Sequence, residues 1–288
     1  MANRPYLLGM YEKALPADLT WKEKLEGAKE CGFDWIEISI DESDAKVARL
    51  DWTKEERDEL VRLMKETGTP IYTMCFSSQR KYSLGCLNPE IHAKAMANMQ
   101  KAVDLAADLG IRIIQLAGYD AYYEPRSKAT EEEFLKNLKI ATEMAARKGI
   151  ILAFETMMDT DFLNTVEKGV NFCKQVNSPY LGVYPDIGNL VSARHDYGYK
   201  TSVVEDLKKG AGRIFACHLK ETAPGKDRNV PWGSGLTDYV TDIKVLKDMG
   251  VRMFNGEFWY TDQPDWKAYC KEANVFLRDK LDQVFNEE

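Results

Sequence analysis

Glycine falls at the end of one helical stretch after another, immediately or shortly before a short apolar run: Gly32, Gly68, Gly110, Gly149, Gly210 and Gly250. A helix that must stop beside a strand commonly closes through a left-handed residue, a conformation glycine adopts without steric cost. The recurring order is therefore helix, glycine, strand. Helix starts carry their own marks. Thr20-x-x-Glu23, Thr53-x-x-Glu56 and Thr130-x-x-Glu133 each spell a capping box, in which side chains satisfy the orphan N–H groups of a first turn.

Between these marks lie apolar or β-branched runs at 6–11, 33–38, 70–75, 111–116, 150–154, 180–184, 213–217 and 252–258. Near-continuous hydrophobicity fits strands buried on both faces, as in a parallel sheet. The segments between them repeat with helical period; Phe134, Leu138, Ala141 and Ala145 share one face, as do Trp266, Ala273, Phe276 and Leu281. Eight strands alternating with eight helices, without a linker-like stretch, predict an α/β chain forming a single (β/α)8 TIM barrel over 1–288. The length of 288 residues suits that fold. No Gly-rich dinucleotide turn follows the first strand, which weakens the open doubly wound alternative.

Composition narrows the partners. The net charge of −7 repels a phosphate backbone, and no run of five like charges supplies a basic tail, so no nucleic acid partner is expected. The six cysteines form no CxxC pair, which suits a reducing compartment better than a disulfide framework or a thiolate zinc site. The N-terminal stretch is too briefly apolar for a signal peptide, and no later segment is long enough to span a membrane. A cytoplasmic protein without a membrane partner is the expectation.

In a barrel, side chains at the C-terminal strand ends converge on one pocket. Strand five ends Ala153-Phe154-Glu155, strand six Tyr184-Pro185-Asp186, strand seven Ala216-Cys217-His218 and strand eight Asn255-Gly256-Glu257. Four consecutive strands thus each deliver one oxygen or nitrogen ligand. A lone acid or histidine at a strand end is often a cap or an ion-pair partner. Four in register are harder to dismiss, because three carboxylates around an imidazole repel one another unless a cation sits among them. One divalent metal ion is therefore expected at Glu155, Asp186, His218 and Glu257; the oxygen-rich set suits Mn2+, Mg2+ or Co2+ and admits Zn2+. His92, on a helix beginning near Pro89, is expected at the surface. His195 is expected in the loop after strand six, from which it can reach the pocket.

These phrases carry a resemblance. Phe154-Glu155-Thr156, Tyr184-Pro185-Asp186-Ile187-Gly188-Asn189, His218-Leu219-Lys220-Glu221-Thr222 and Gly256-Glu257-Phe258-Trp259 resemble the xylose-isomerase-like barrels, within them the ketose 3-epimerases. Leu8-Gly9-Met10-Tyr11-Glu12-Lys13-Ala14-Leu15-Pro16 and Gln115-Leu116-Ala117-Gly118-Tyr119-Asp120 are similar to the L-ribulose-5-phosphate 3-epimerases in particular. The resemblance runs nearly end to end. It implies an isomerase of sugar catabolism, L-ascorbate degradation included, acting on a small-molecule sugar phosphate and associating as a homodimer. It also implies that Glu155 and Glu257 are the acid/base pair as well as metal ligands, and that Arg228 contacts the sugar. Where epimerases of free ketoses often carry a histidine, this chain has Asn189, a candidate contact with the substrate hydroxyls.

The chemistry asked of such a site is severe. A C3 proton beside a ketone is weakly acidic, and a metal chelated by O2 and O3 stabilises the developing cis-enediolate. Inversion then needs one base on each face, the places expected for Glu155 and Glu257, with Asp186 and His218 as ligands only. For a phosphate, Lys220, Lys226, Arg228 and the Gly233-Ser234-Gly235 turn ahead of the next helix are candidate anchors, with Arg80 and Lys81 after strand three as a second set. Tyr11, Glu37, Trp232 and Trp259 are candidate pocket walls. An epimerase or isomerase of another ketose, an inosose-type dehydratase and a catalytically silent sugar-phosphate binder remain as alternatives. Three histidines and an acidic balance argue against a multi-metal endonuclease.

Overall fold

Each apolar run pairs in parallel with its neighbour. In the computed structural model, which describes residues 4–286, so that Met1 to Asn3 of the N-terminal stretch lie outside the described residues, the strands are β1 (Leu7–Tyr11), β2 (Trp35–Ser39), β3 (Ile71–Phe76), β4 (Ile113–Leu116), β5 (Ile151–Glu155), β6 (Leu181–Tyr184), β7 (Cys217–Leu219) and β8 (Met253–Gly256). Their order is β6-β5-β4-β3-β2-β1-β8-β7. Two isolated parallel bridges, Val183 to Ile214 and Asp186 to His218, span β6 and β7 and bring the barrel nearly to closure.

The helices cover this barrel as the periodicity requires. They are α1 (Trp21–Glu30), α2 (Asp44–Val47), α3 (Lys54–Thr67), α4 (Pro89–Leu109), α5 (Lys128–Ala146), α6 (Val166–Val176), α7 (Ile187–Tyr197), α8 (Val203–Lys208), α9 (Tyr239–Asp248) and α10 (Trp266–Phe285). Phe134, Leu138, Ala141 and Ala145 of α5 are all buried. Among the described residues there are ten α-helices rather than eight, because the β2–β3 and β6–β7 connections each carry two, and both members of each pair have their own side-chain N-cap. No helix among the described residues is long and apolar enough to cross a membrane. All six cysteines are free and buried.

Local chemistry explains where sequence pattern and structure part. The capping boxes at Thr20 and Thr53 form. The third starts one turn earlier, with Ser127 as the N-cap and Thr130 three residues on; the Thr130 hydroxyl donates to the buried Asp120 carboxylate at 2.7 Å. Gly32, Gly68, Gly110, Gly149 and Gly250 have positive φ, but Gly210 does not, and Gly212 (φ 75°) takes the left-handed position before β7. The run at 213–217 is not one strand. Ile214 makes a single bridge to Val183 and the ladder then lapses until Cys217, so His218 lies inside β7 rather than just beyond it.

Beyond β1, a buried acid ties the first strands to the outer helices. Glu12 accepts from Lys24 at 2.9 Å, from Lys46 at 2.6 Å, from Arg49 at 2.6 and 2.8 Å and from the Ser39 N–H at 2.9 Å. Burial would raise its pKa, but Arg49, Lys46 and Lys24 outweigh burial and hold it far below the ordinary 4.5. Its contribution to stability is thus fully present above the ordinary carboxylate range and is lost as pH falls through the folded value. Glu12→Gln leaves the buried Lys24 and the half-buried Lys46 and Arg49 without their acid and is expected to destabilise the fold by about 3 kcal/mol in urea unfolding at neutral pH. The gap between the two proteins should hold across the neutral range and narrow in acid. A gap that widened in acid would contradict this account.

Candidate metal centre

The strand ends bring the four candidate ligands together, each by a different local device. Glu155 is the last residue of β5. Asp186 is the N-cap of α7; one oxygen accepts the Asn189 N–H at 3.0 Å, leaving Oδ2 for the barrel axis. The backbone of His218 is pinned in β7 by its N–H to the Pro185 carbonyl at 2.9 Å. Glu257 follows β8, with its N–H on the Leu219 carbonyl at 2.9 Å. One ligand atom from each of the four lies within 4.8 Å of every other, and all four residues are buried.

The imidazole decides whether a cation fits. His218 Nε2 lies 2.7 Å from Glu37 Oε1. A carboxylate at that distance accepts, so Nε2 carries a proton and Nδ1 is the nitrogen left for a ligand. Nδ1 faces Glu155 Oε1 at 3.5 Å and Glu257 Oε2 at 3.7 Å. Asp186 Oδ2 and Glu257 Oε2 are buried without a well-formed hydrogen bond. Without a cation a proton on Nδ1 offsets these acids; with that proton gone, an imidazole lone pair among acidic oxygens is the donor set a divalent cation requires. The residues fit the ion.

Beneath the ligands the barrel interior is polar. Glu37 accepts from Asn255 at 3.0 Å and from Thr73 at 2.6 Å as well as from His218. Gln115 Nε2 lies 3.2 Å from His218 Nδ1 and the Tyr184 ring meets the imidazole edge-on at 4.9 Å. Sequence reasoning treated Glu37 as pocket wall; it is instead a fully buried brace for the histidine. The signal was available, since an acid inside Trp-Ile-Glu-Ile-Ser interrupts a strand that is otherwise apolar or small.

Above the ligands opens a cavity of about 250 Å³. Glu155 and Glu257 line it, whereas Asp186 and His218 lie behind them. Tyr11 and Trp259 form a wall in edge-to-face contact at 6.1 Å, while Trp232 packs on Phe258 and Phe276 instead. Lys220 reaches Asp186 at 2.8 Å, Glu257 at 3.3 Å and Asn189 at 2.5 Å. Asn189 lines the cavity, but both ends of its amide are engaged, with Lys220 and with the Thr156 carbonyl. Arg228 lines the mouth over the Trp259 ring at 4.8 Å.

Several expected contacts fall elsewhere. His195 is in the last turn of α7, not in a loop, and points to Asp196 at 2.9 Å, because α7 continues to Tyr197. His92 lies on α4 near Glu133, outside the site. The Gly233-Ser234-Gly235 turn is not a helix start, since α9 begins at Tyr239, and its anion position is already filled. Glu221 takes the Gly233 N–H at 2.8 Å and the Thr237 N–H at 3.2 Å.

Comparison with known proteins agrees with this picture. The family model described as "Xylose isomerase-like TIM barrel" matches residues 25–280. The L-ribulose-5-phosphate 3-epimerase UlaE of Escherichia coli (strain SMS-3-5 / SECEC) is 41% identical over 282 residues, covering 98% of this chain and 97% of the relative. The enzyme of the same name from Escherichia fergusonii matches equally, at 41% over 98% of this chain and 97% of its own length. Among solved structures, D-psicose 3-epimerase from Clostridium cellulolyticum H10, bound to D-tagatose, superposes with a TM-score of 0.79 at 18% identity, over 96% of this chain and 99% of that one. An L-ribulose 3-epimerase superposes at 0.76 and 16% identity, over 98% and 96%. At such identities the structures speak to the fold alone.

Two outcomes follow for metal uptake. Without a cation, burial, helped by Glu257 and opposed by Lys220, pushes Asp186 up to about 8. Burial would lower His218, yet Glu37 and Glu257 outweigh it and raise it well above 6.5. Ligation requires both groups to lose their protons, so calorimetric affinity for Mn2+ should tighten as pH rises towards about 8. Glu37→Gln should weaken it by about 10–100-fold. Affinity independent of pH and of Glu37 would count against the site.

Proposed function

The chain belongs to the xylose isomerase-like TIM barrel family, and within it we propose that it is a metal-dependent ketose-phosphate 3-epimerase interconverting L-ribulose 5-phosphate and L-xylulose 5-phosphate. The names of its relatives support an isomerase-class enzyme acting on ketose sugars, and 41% identity along nearly the whole chain supports the phosphorylated L-ribulose as substrate. The observation that carries the mechanism is the division of the four ligands: two glutamates face the cavity and the other two residues stand behind.

A divalent ion (Mn2+, Co2+, Mg2+ or Zn2+) held by Glu155, Asp186, His218 Nδ1 and Glu257 supplies Lewis-acid polarisation of the ketone, which acidifies the neighbouring C–H. Epimerisation then needs proton transfer on both faces of C3. Glu155 comes from the end of β5 and Glu257 from beyond β8, so the two approach the cavity from different sides. One glutamate removes the C3 proton and leaves a planar cis-enediolate; the other returns a proton to the opposite face. The starting epimer decides which acts first. Asp186 and His218, shut off from the cavity, serve as ligands only. Lys220 stays an ammonium, because Asp186 and Glu257 outweigh the burial that would deprotonate it, and adds positive charge where oxyanion character develops. Tyr11 and Trp259 exclude water from the intermediate.

With L-ribulose 5-phosphate and Mn2+ in D2O, NMR should show deuterium entering at C3 while L-xylulose 5-phosphate accumulates. Glu155→Gln and Glu257→Gln should each reduce turnover by about 10²–10⁴-fold. Absence of C3 exchange with any of the four metals would overturn this substrate. Exchange without inversion would overturn the two-base scheme.

A further inference from the structure

Two residues beyond the end of β7 lies a buried carboxylate that no step of the mechanism uses. Glu221 is 4% exposed, and its two oxygens take three backbone N–H groups. Oε1 accepts from Thr222 at 3.2 Å and from Thr237 at 3.2 Å, and Oε2 from Gly233 at 2.8 Å. The connection from β7 to α9 thus leaves and returns at one side chain. Two further bonds close the same neck. The Thr237 hydroxyl donates to the Lys220 carbonyl at 3.0 Å, and the Leu236 N–H to the Thr222 carbonyl at 2.8 Å. Gly235 lets the two limbs approach, since a Cβ there would lie 2.1 Å from the Thr222 carbonyl oxygen and 2.5 Å from Glu221 Oε1.

The closed loop carries Arg228. After Thr222 the chain makes a tight turn, with Ala223 and Lys226 exchanging N–H to carbonyl bonds at 2.8 Å. The Thr222 hydroxyl donates to the Lys226 carbonyl at 3.1 Å. Asp227 and Arg228 follow at the cavity mouth, and the guanidinium lies over the Trp259 ring at 4.8 Å. The Arg228 side chain is 51% exposed and its pairing with the adjacent Asp227 is long, at 3.6 Å. A side chain so loosely paired is aimed by its backbone. An ionised acid that takes several N–H groups fixes their directions as well as their positions, whereas an amide in its place turns an NH2 towards at least one of them.

We propose that Glu221 is a positioning residue for substrate binding: by fastening Thr222, Gly233 and Thr237 it holds the β7–α9 loop closed and keeps Arg228 over Trp259 at the cavity mouth. The consequence for the ketose rests on the epimerase reading above, while the fastening of Arg228 does not.

The test is a double-mutant cycle of Glu221→Gln, Arg228→Gln and the pair, measured with L-ribulose 5-phosphate and Mn2+. Beside it, NMR follows the Arg228 Nε–H resonance of the Mg2+-loaded protein, displaced by the Trp259 ring current and identified by its loss in Arg228→Gln. Glu221→Gln should lower kcat/KM by about 10–100-fold, mostly through KM. Added to Arg228→Gln it should cost no more than about 2-fold further, because both act through one guanidinium. The resonance should move towards that of a free arginine, and calorimetric Mn2+ affinity should stay near that of wild type. A residue that only stabilised the fold would lower kcat and Mn2+ affinity together and add in full to Arg228→Gln. Full additivity, an unmoved resonance, or Mn2+ affinity falling as far as kcat/KM would each overturn the proposal. Glu221→Asp keeps the charge but reaches less far; it should show the same pattern at smaller size, and it carries the cycle if the glutamine variant fails to fold. If wild type turns over no L-ribulose 5-phosphate, the epimerase reading fails, and the resonance alone decides the role of Glu221.

Discussion

Three buried carboxylates and an imidazole converge at one end of this barrel, with one ligand atom of each within 4.8 Å of every other. Everything nearby accommodates that crowding. Glu37 takes the Nε2 proton of His218 and turns Nδ1 towards the acids; Thr73 and Asn255 hold Glu37 in turn. On the other flank Asn189 receives Lys220, and Thr156 accepts the N–H of Asp186 at 3.1 Å. A polar layer inside a barrel costs stability unless its members are bonded; here Glu37 ties β2 to His218 of β7, while Gln115 Oε1, Asn255 Oδ1 and the Tyr184 hydroxyl are left without partners. The arrangement is preorganised for a cation.

The same backbone gives the four ligands two different exposures. Asp186 caps α7 with one oxygen and gives the other to the centre, so the helix fixes its orientation. His218 lies within β7, pinned by strand hydrogen bonds. Both are rigid and covered. Glu155 and Glu257 stand at the ends of their strands, and both reach the cavity. Gly118 contributes to this placement, since a Cβ there would come within 2.5 Å of the Glu155 carbonyl. On the proposed mechanism one residue can be both ligand and base only if it borders the cavity as well as the ion site, and of the four candidate ligands Glu155 and Glu257 do so.

Much of this was legible in the sequence, because barrels convert a one-dimensional rule into a three-dimensional one: the last residue of each buried run lands on the common rim. Glycine punctuation located most αβ turns for the same local reason. The failures have local causes as well. The 213–217 run is apolar enough to be a strand, yet hydropathy does not register a lapse in ladder hydrogen bonds, so the end of β7 was misplaced although His218 was still found. The Gly233-Ser234-Gly235 turn offers N–H groups in sequence, but Glu221, twelve positions before Gly233, occupies them. Such competition is invisible until the chain is folded.

The most direct test is anomalous diffraction from crystals soaked in Mn2+. A single peak bonded to Glu155, Asp186, His218 through Nδ1 and Glu257, with the Nε2 to Glu37 hydrogen bond retained, is the predicted result. No peak among these residues, or an ion bound through Nε2 or without one of the two glutamates, would contradict the account.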